Sequence, residues 1–311
     1  MSTRRAATLI ACALLAACGG DRPALRSADG RYQVMACLAP EQAAQAPDAD
    51  VWLVAAPDVA RVPAGKPMLV VGASTDAARQ AVEDGRWAGA SCFTPPLQAA
   101  AEVTLLSALD LETPPQLAFG VSYLTPANLA SNGTPVFAPA DFVLQAMRNQ
   151  HAAQLHPADQ PPPVRFAVVR AAGDDPWATA AERAPRVLGR MIEPLQIAIA
   201  TPADAAKWTE ELQRGLDLDY RAFLVAAADP APSAAARRMV VEKGGKVVLF
   251  SPKPLDADYT HWVGIDEAAL GRAAADALQQ LRPEGARLVE LLQTDDPRHA
   301  AFAGQLLLKA D

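Results

Sequence analysis

The chain has 311 residues, 51% of them hydrophobic and 20% charged, with a formal net charge of −7. That length holds one large core or two lobes of ordinary domain size. The acidic balance supplies no basic face to neutralise phosphates, which excludes nucleic acid as a partner.

The opening residues read as a processing signal. Arg4 and Arg5 form a basic segment, Ala6 to Leu15 a short apolar one, and Leu15-Ala16-Ala17-Cys18 looks like a lipobox, the bacterial signature whose cysteine receives a lipid. The apolar run is too short to span a bilayer. A plain secretory signal with a chance cysteine is the alternative. On the first reading, residues 1–17 are a lipoprotein signal peptide, Cys18 is lipidated, and the small, polar stretch 18–30 is a tether. The polypeptide would then meet the membrane through its lipid anchor only. Cys12 leaves with the signal, so Cys37 and Cys92 remain. An oxidising compartment permits a disulfide, but both lie in apolar runs and are expected as buried free thiols.

Strands are expected at 32–38, 51–55, 67–72 and 89–93, with helices at 76–84, ended by Gly85, and 98–111, closed by Thr113-Pro114-Pro115. A fifth strand reads from Leu117 to Leu124. The segment 127–163 joins the two halves; it holds a helix from 139 to 154 and the stiff run Gln160-Pro161-Pro162-Pro163. Strand 164–169, helix 178–188, strand 195–199 and helix 203–214 follow. Arg221 to Val225 is a buried strand, Ala228-Asp229-Pro230 a turn, and Ser233 caps a helix to Lys243 that Gly244-Gly245 ends. Lys246 to Phe250 is the next strand; later come a helix to Leu281, a strand at 286–292 and a helix reaching Leu308. Continuous apolar strands alternating with helices predict parallel sheets covered on both faces. Ligands of such sheets sit outside the carboxyl ends of the strands, which singles out the loops 226–230 and 251–254.

The stretch Tyr220 to Leu281 carries a resemblance. Its strand, D-P turn, helix, strand, then Val263-Gly264-Ile265-Asp266-Glu267 and Leu270-Gly271-Arg272-Ala273, is similar to the N-terminal lobe of type I periplasmic binding proteins, the ribose-binding-like family. "PDADVWLVAAPDVA", "MLVVGASTDAARQAVEDGRWAGASCFTPPLQAA" and "FGVSYLTPANL" resemble that family's C-terminal segments, yet here they come first. The resemblance therefore implies an α/β fold of two Rossmann-like lobes, each a mostly parallel sheet flanked by helices, in circularly permuted order. Residues 31–126 plus 285–311 would form the family's C-terminal lobe, the helix at 97–112 being free to pack on the other. Residues 127–163 would join the family's old termini, and 164–284 would form its N-terminal lobe. Two unrelated domains in tandem are the weaker alternative.

No catalytic constellation stands out. His151, His156, His261 and His299 are spaced neither as metal ligands nor beside a nucleophile, and G-x-S-x-G, P-loop and H-E-x-x-H patterns are absent. Neither enzyme activity, nor a cofactor, nor a metal site is expected. What the resemblance implies is a small-molecule ligand held between two lobes. Its contacts carry over to Asp175 and Trp177 in the loop after strand 164–169, and to Ser251, Ser74, Thr94 and Arg298. Trp177 would stack on a ligand ring or pack between helices. Arg298 would donate paired hydrogen bonds to the ligand or to Asp295 or Asp296. Ser251-Pro252 stands where the family has an Asp-Arg pair, Ala226 and Ala56 where it has asparagines, Ser74 for an aspartate and Thr94 for a glutamine. Those losses remove the groups that hold sugar hydroxyls. The expected function is a lipid-anchored, extracytoplasmic solute-binding protein serving a membrane ABC permease or sensor, its ligand not a typical sugar. An envelope interaction protein with a degenerate pocket is the alternative.

Overall fold

A computed structural model of the chain describes residues 25–135, 164–173, 176–188, 195–254, 256–292 and 296–310. The signal peptide, Cys18, the helix expected at 139–154 and Asp175 lie outside them. Its described residues form a mixed α/β fold of two compact units, one drawn from within 25–94, 120–135 and 266–310, the other from within 95–119 and 164–265.

The first unit is built on a nine-stranded sheet in the order β15-β1-β2-β14-β3-β4-β5-β7-β8. These strands are β1 (Leu25–Ser27), β2 (Tyr32–Cys37), β3 (Val51–Ala55), β4 (Met68–Ser74), β5 (Gly89–Phe93), β7 (Ser122–Leu124), β8 (Thr134–Pro135), β14 (Ala286–Leu291) and β15 (Leu308–Ala310). The central five, β2-β14-β3-β4-β5, run parallel. The outer pairs are antiparallel. Every residue of β3 and β5 is buried, as a sheet covered on both faces requires. On one face Val70, Cys92 and Leu124 meet Ala78, Ala81 and Val82 of helix α1 (Thr75–Glu83). Alternation along β4 turns Leu69 to the other face, where Leu281 of helix α7 (Glu267–Leu281) lies over it. Helix α8 (Pro297–Gln305) packs on α7, and a Cβ on Gly271 would come within 2.1 Å of the Arg298 carbonyl oxygen. Only glycine allows these two backbones so close.

The second unit has a six-stranded sheet, all parallel, in the order β10-β9-β11-β12-β13-β6. Its strands are β6 (Gln116–Phe119), β9 (Val164–Arg170), β10 (Leu195–Ala200), β11 (Ala222–Ala226), β12 (Lys246–Phe250) and β13 (His261–Ile265). Trp208 and Leu212 of α5 (Ala205–Asp217) and Ala236 and Val240 of α6 (Ala234–Glu242) cover Ala167, Phe223, Val225, Val247 and Leu249. Helix α2 (Leu97–Ala108) packs on β9, β11 and β12, with α3 (Pro176–Ala181) on β9 and β11 and α4 (Ala184–Leu188) against α2 itself. Residues 99–107 of α2 are all buried, which suits a helix that is apolar almost all round.

Several boundaries differ from the sequence expectation. The strand read as 117–124 is two strands, β6 in one sheet and β7 in the other, broken at Gly120 and Val121. Helix α7 packs on β4 and β5 of the first unit rather than with the segment 164–284. Residues 25–27 pair with β2 and β15, so part of the expected tether belongs to the sheet. The last helix stops at Gln305, where Leu307 takes a positive φ of 54° and the chain turns back as β15. The helix expected at 178–188 is split into α3 and α4. Ser233 does not cap α6: its hydroxyl donates to the Pro230 carbonyl at 2.8 Å and accepts from Arg237 Nε at 2.9 Å.

Candidate functional site

In the first unit the parallel strands end together at β2, β14, β4 and β5, where ligand sites of such sheets form. Gly72 makes a bulge in β4, with φ +79° and a register shift between Val71 and Ala73. A Cβ there would come within 3.0 Å of Arg298 Nη1. The bulge thus admits a guanidinium at the strand end. Asp296 holds that guanidinium: its carboxylate accepts from Nε at 2.8 and 2.9 Å and from Nη2 at 2.5 Å, and it caps α8 by accepting from the Arg298 backbone N–H at 2.8 Å. The Arg298 side chain remains 23% exposed. Ser74 follows the bulge and caps α1, accepting from the Ala77 N–H at 3.4 Å. Exposed Thr94 donates to Thr75 Oγ1 at 3.1 Å. Arg298, Ser74 and Thr94 therefore occupy the strand ends of one unit, each already engaged with a local partner.

The other predicted contacts fall in the second unit. Trp177 is buried and meets Phe250 of β12 edge-on, with centroids 4.9 Å apart at 78°. Ser251 is fully buried after β12; its hydroxyl donates to the Pro252 carbonyl at 2.7 Å, and its own carbonyl accepts from Trp262 Nε1 at 3.1 Å. Gly264 fits beneath: a Cβ would meet the Trp262 ring at 2.2 Å, which explains the glycine in Val263-Gly264-Ile265-Asp266. Asp266 ends that motif by capping α7, accepting from Ala269 N–H at 3.0 Å. The loop after Ser251 is held by Arg237, fully buried and paired bidentately with Asp256 at 2.9 Å. His261 is also enclosed: Thr113 Oγ1 lies 2.6 Å from Nε2, and Thr260 Oγ1 3.0 Å from Nδ1. Burial, then the charge of Lys246, holds its pKa below the ordinary histidine value.

One cluster at the strand ends of the first unit has no counterpart among the predicted residues. Cys37, Glu290 and His299 place their donor atoms within 4.8 Å of one another. Cys37 and Cys92 are not joined in a disulfide; Cys92 is buried, as expected, whereas Cys37 is only half-buried. Spacing gave no hint of the cluster, because Cys37 and Glu290 are 253 residues apart. The available signal was a carboxylate inside the apolar run Leu288-Val289-Glu290-Leu291-Leu292.

No protein-family model and no curated protein matches the chain. Among solved structures, a fructose binding periplasmic domain of a hybrid two component system matches at 18% identity and a TM-score of 0.36. That likeness covers 46% of this chain and 49% of the other, about half of each, and by itself assigns no ligand. Among the described residues no helix is long and apolar enough to cross a membrane.

Proposed function

We propose that the chain is a lipid-anchored, extracytoplasmic solute-binding protein of the type I periplasmic class, in circularly permuted order, that closes two lobes on a small ligand. The observation that carries this reading is the division into two mostly parallel α/β units with chain passages at 94/95, 119/120 and 265/266. Repeated passages are what a hinged, two-lobed binder needs, since hinges are a few residues at element ends. The permuted order is supported by the sheet that joins the segments on either side of the expected junction, where β15 pairs with β1 and β1 with β2. A membrane ABC permease or sensor would read the closed state, and the lipid at Cys18 would be the sole membrane attachment. Ser74, Thr94 and Arg298 would meet the ligand from one lobe and Asp175 from the other, where buried Ser251 would shape the loop after β12 rather than touch the ligand. The missing carboxylates and amides favour a ligand less polar than a sugar.

A second reading is supported by the local engagement of the same residues. Arg298 is held by Asp296, Ser251 by Pro252, and Trp177 by Phe250. An envelope protein working through surface contacts, its pocket degenerate, would show the same pattern. Native mass spectrometry on the purified protein separates the two. A retained small molecule, with a melting point raised by adding it back, establishes solute binding; a ligand at 100 times its dissociation constant adds about 2.7 kcal/mol. An empty protein whose melting point no class of solute moves leaves only the second.

A further inference from the structure

We infer that Cys37, Glu290 and His299 form a binding site for a borderline divalent transition-metal ion, zinc being the best fit. The site is built by the fold of the first unit and does not rest on the solute-binding reading. Cys37 ends β2 and Glu290 lies near the end of β14; the two strands are parallel neighbours with these residues directly paired in register. Their side chains therefore leave the same face side by side. His299 enters from the first turn of α8, and its Nδ1 lies 2.6 Å from Glu290 Oε2, with Cys37 Sγ 3.4 Å from the same oxygen.

The surroundings set a requirement that a metal ion drawing on both carboxylate oxygens of Glu290 would meet. Glu290 is fully buried, and its second oxygen, Oε1, has no hydrogen-bond partner. A buried carboxylate oxygen left unsatisfied is costly. A dication bound by one thiolate, one carboxylate and one neutral imidazole makes a site of zero net charge, which suits a buried place. Sulfur, nitrogen and oxygen donors together select zinc and its neighbours over magnesium or calcium, which take oxygen ligands. Bond lengths near 2.3 Å for sulfur and 2.0–2.2 Å for nitrogen and oxygen put tetrahedral donors about 3.3–3.6 Å apart. The sulfur–oxygen separation already has that value. The histidine–glutamate contact has to open by roughly 0.7 Å to reach it, as the proton between Nδ1 and Oε2 leaves and the thiol proton is released. Three protein donors leave the fourth position to water, and the half-exposed Cys37 gives the ion its way in.

The test uses the full chain freed of metal with a chelator, then given Co²⁺ or Zn²⁺ alone. One Co²⁺ per chain is expected, with a near-ultraviolet thiolate-to-cobalt band that Zn²⁺ displaces. Cys37→Ser should abolish the band and weaken Zn²⁺ binding by more than about 100-fold, since even the groups behind metal ligands are worth 10–100-fold. The melting point of metal-free Cys37→Ser serves as the folding control. Should that variant fail to fold, the cobalt band of the parent protein still decides. No uptake at micromolar metal, or uptake without a thiolate band, overturns the assignment.

Discussion

The pair Arg237–Asp256 predicts an asymmetry that a simple count of contacts would miss. The Arg237 side chain is 0% exposed and that of Asp256 30%. All five guanidinium N–H groups donate: Nε to Ser233 Oγ, Nη1 to Asp256 Oδ1 and the Asp258 carbonyl, Nη2 to Asp256 Oδ2 and the Pro230 carbonyl. Asp256→Ala strands a cation that water cannot reach, and breaking a buried pair in this way costs about 3–5 kcal/mol. Arg237→Met leaves a carboxylate that water can reach and an apolar side chain in the cavity. Its loss is limited to the unpaired acceptors, about 1–3 kcal/mol. Urea unfolding followed by circular dichroism should therefore place Asp256→Ala at the lower midpoint. A cost for Arg237→Met equal to or above that of Asp256→Ala would refute the reasoning. The pH dependence gives a second reading of the same pair. Hydrogen bonding from Arg237, opposed by burial, holds the Asp256 carboxyl below its ordinary range. Its contribution is complete above the unfolded value of about 3.9 and is lost as pH falls through the lower folded value. In Arg237→Met that acid-side loss should shrink.

Gly271→Ala must push α7 away from the Arg298 carbonyl, since its Cβ would sit 2.1 Å from that oxygen. The urea midpoint should drop by the equivalent of about 1–3 kcal/mol, and an unchanged midpoint would show that the helices part freely. Because burial depresses the His261 pKa, the unfolded chain binds the proton more readily. Stability should be complete above about pH 6.5 and fall as pH drops below it, a slope that His261→Gln removes. Burial pushes the Cys92 thiol up to about 11. A thiol reagent at pH 8 should therefore modify half-buried Cys37 first, as mapped by mass spectrometry, and prior labelling of Cys92 would contradict the packing of β5.

The alternation of apolar runs and helices was legible because it is local. Val51–Ala55, Ala222–Ala226 and Lys246–Phe250 show by composition alone that both faces of their strands are covered. Which sheet a strand joins is not local. Leu117 to Leu124 reads as one apolar run, yet β6 extends one sheet by parallel pairing with β13 while β7 pairs antiparallel with β5 in the other. Helix α7 was misplaced for the same reason: its sequence shows an apolar stripe but not the sheet that stripe covers. Strands β1 and β15, three residues each, are too short for any periodicity and exist because they pair with each other.

The candidate site divides along a similar line. Position-by-position carry-over found Ser74, Thr94 and Arg298 at the strand ends of one unit, because motifs such as Val71-Gly72-Ala73-Ser74 fix the end of a strand. It did not find that Gly72 serves Arg298, since the bulge and the guanidinium are joined only through β4 and α8. Cys37, Glu290 and His299 lie further from any motif, yet one of them announced itself. A glutamate flanked by Val289 and Leu291, in a strand with neighbours on both sides and helices above, has to find a partner. The register of β14 against β2 sets Cys37 beside it, and the cap at Asp296 fixes the first turn of α8 that brings His299. A buried charge in a continuous apolar strand is thus a question the sequence can pose, and the pairing of distant strands is what answers it.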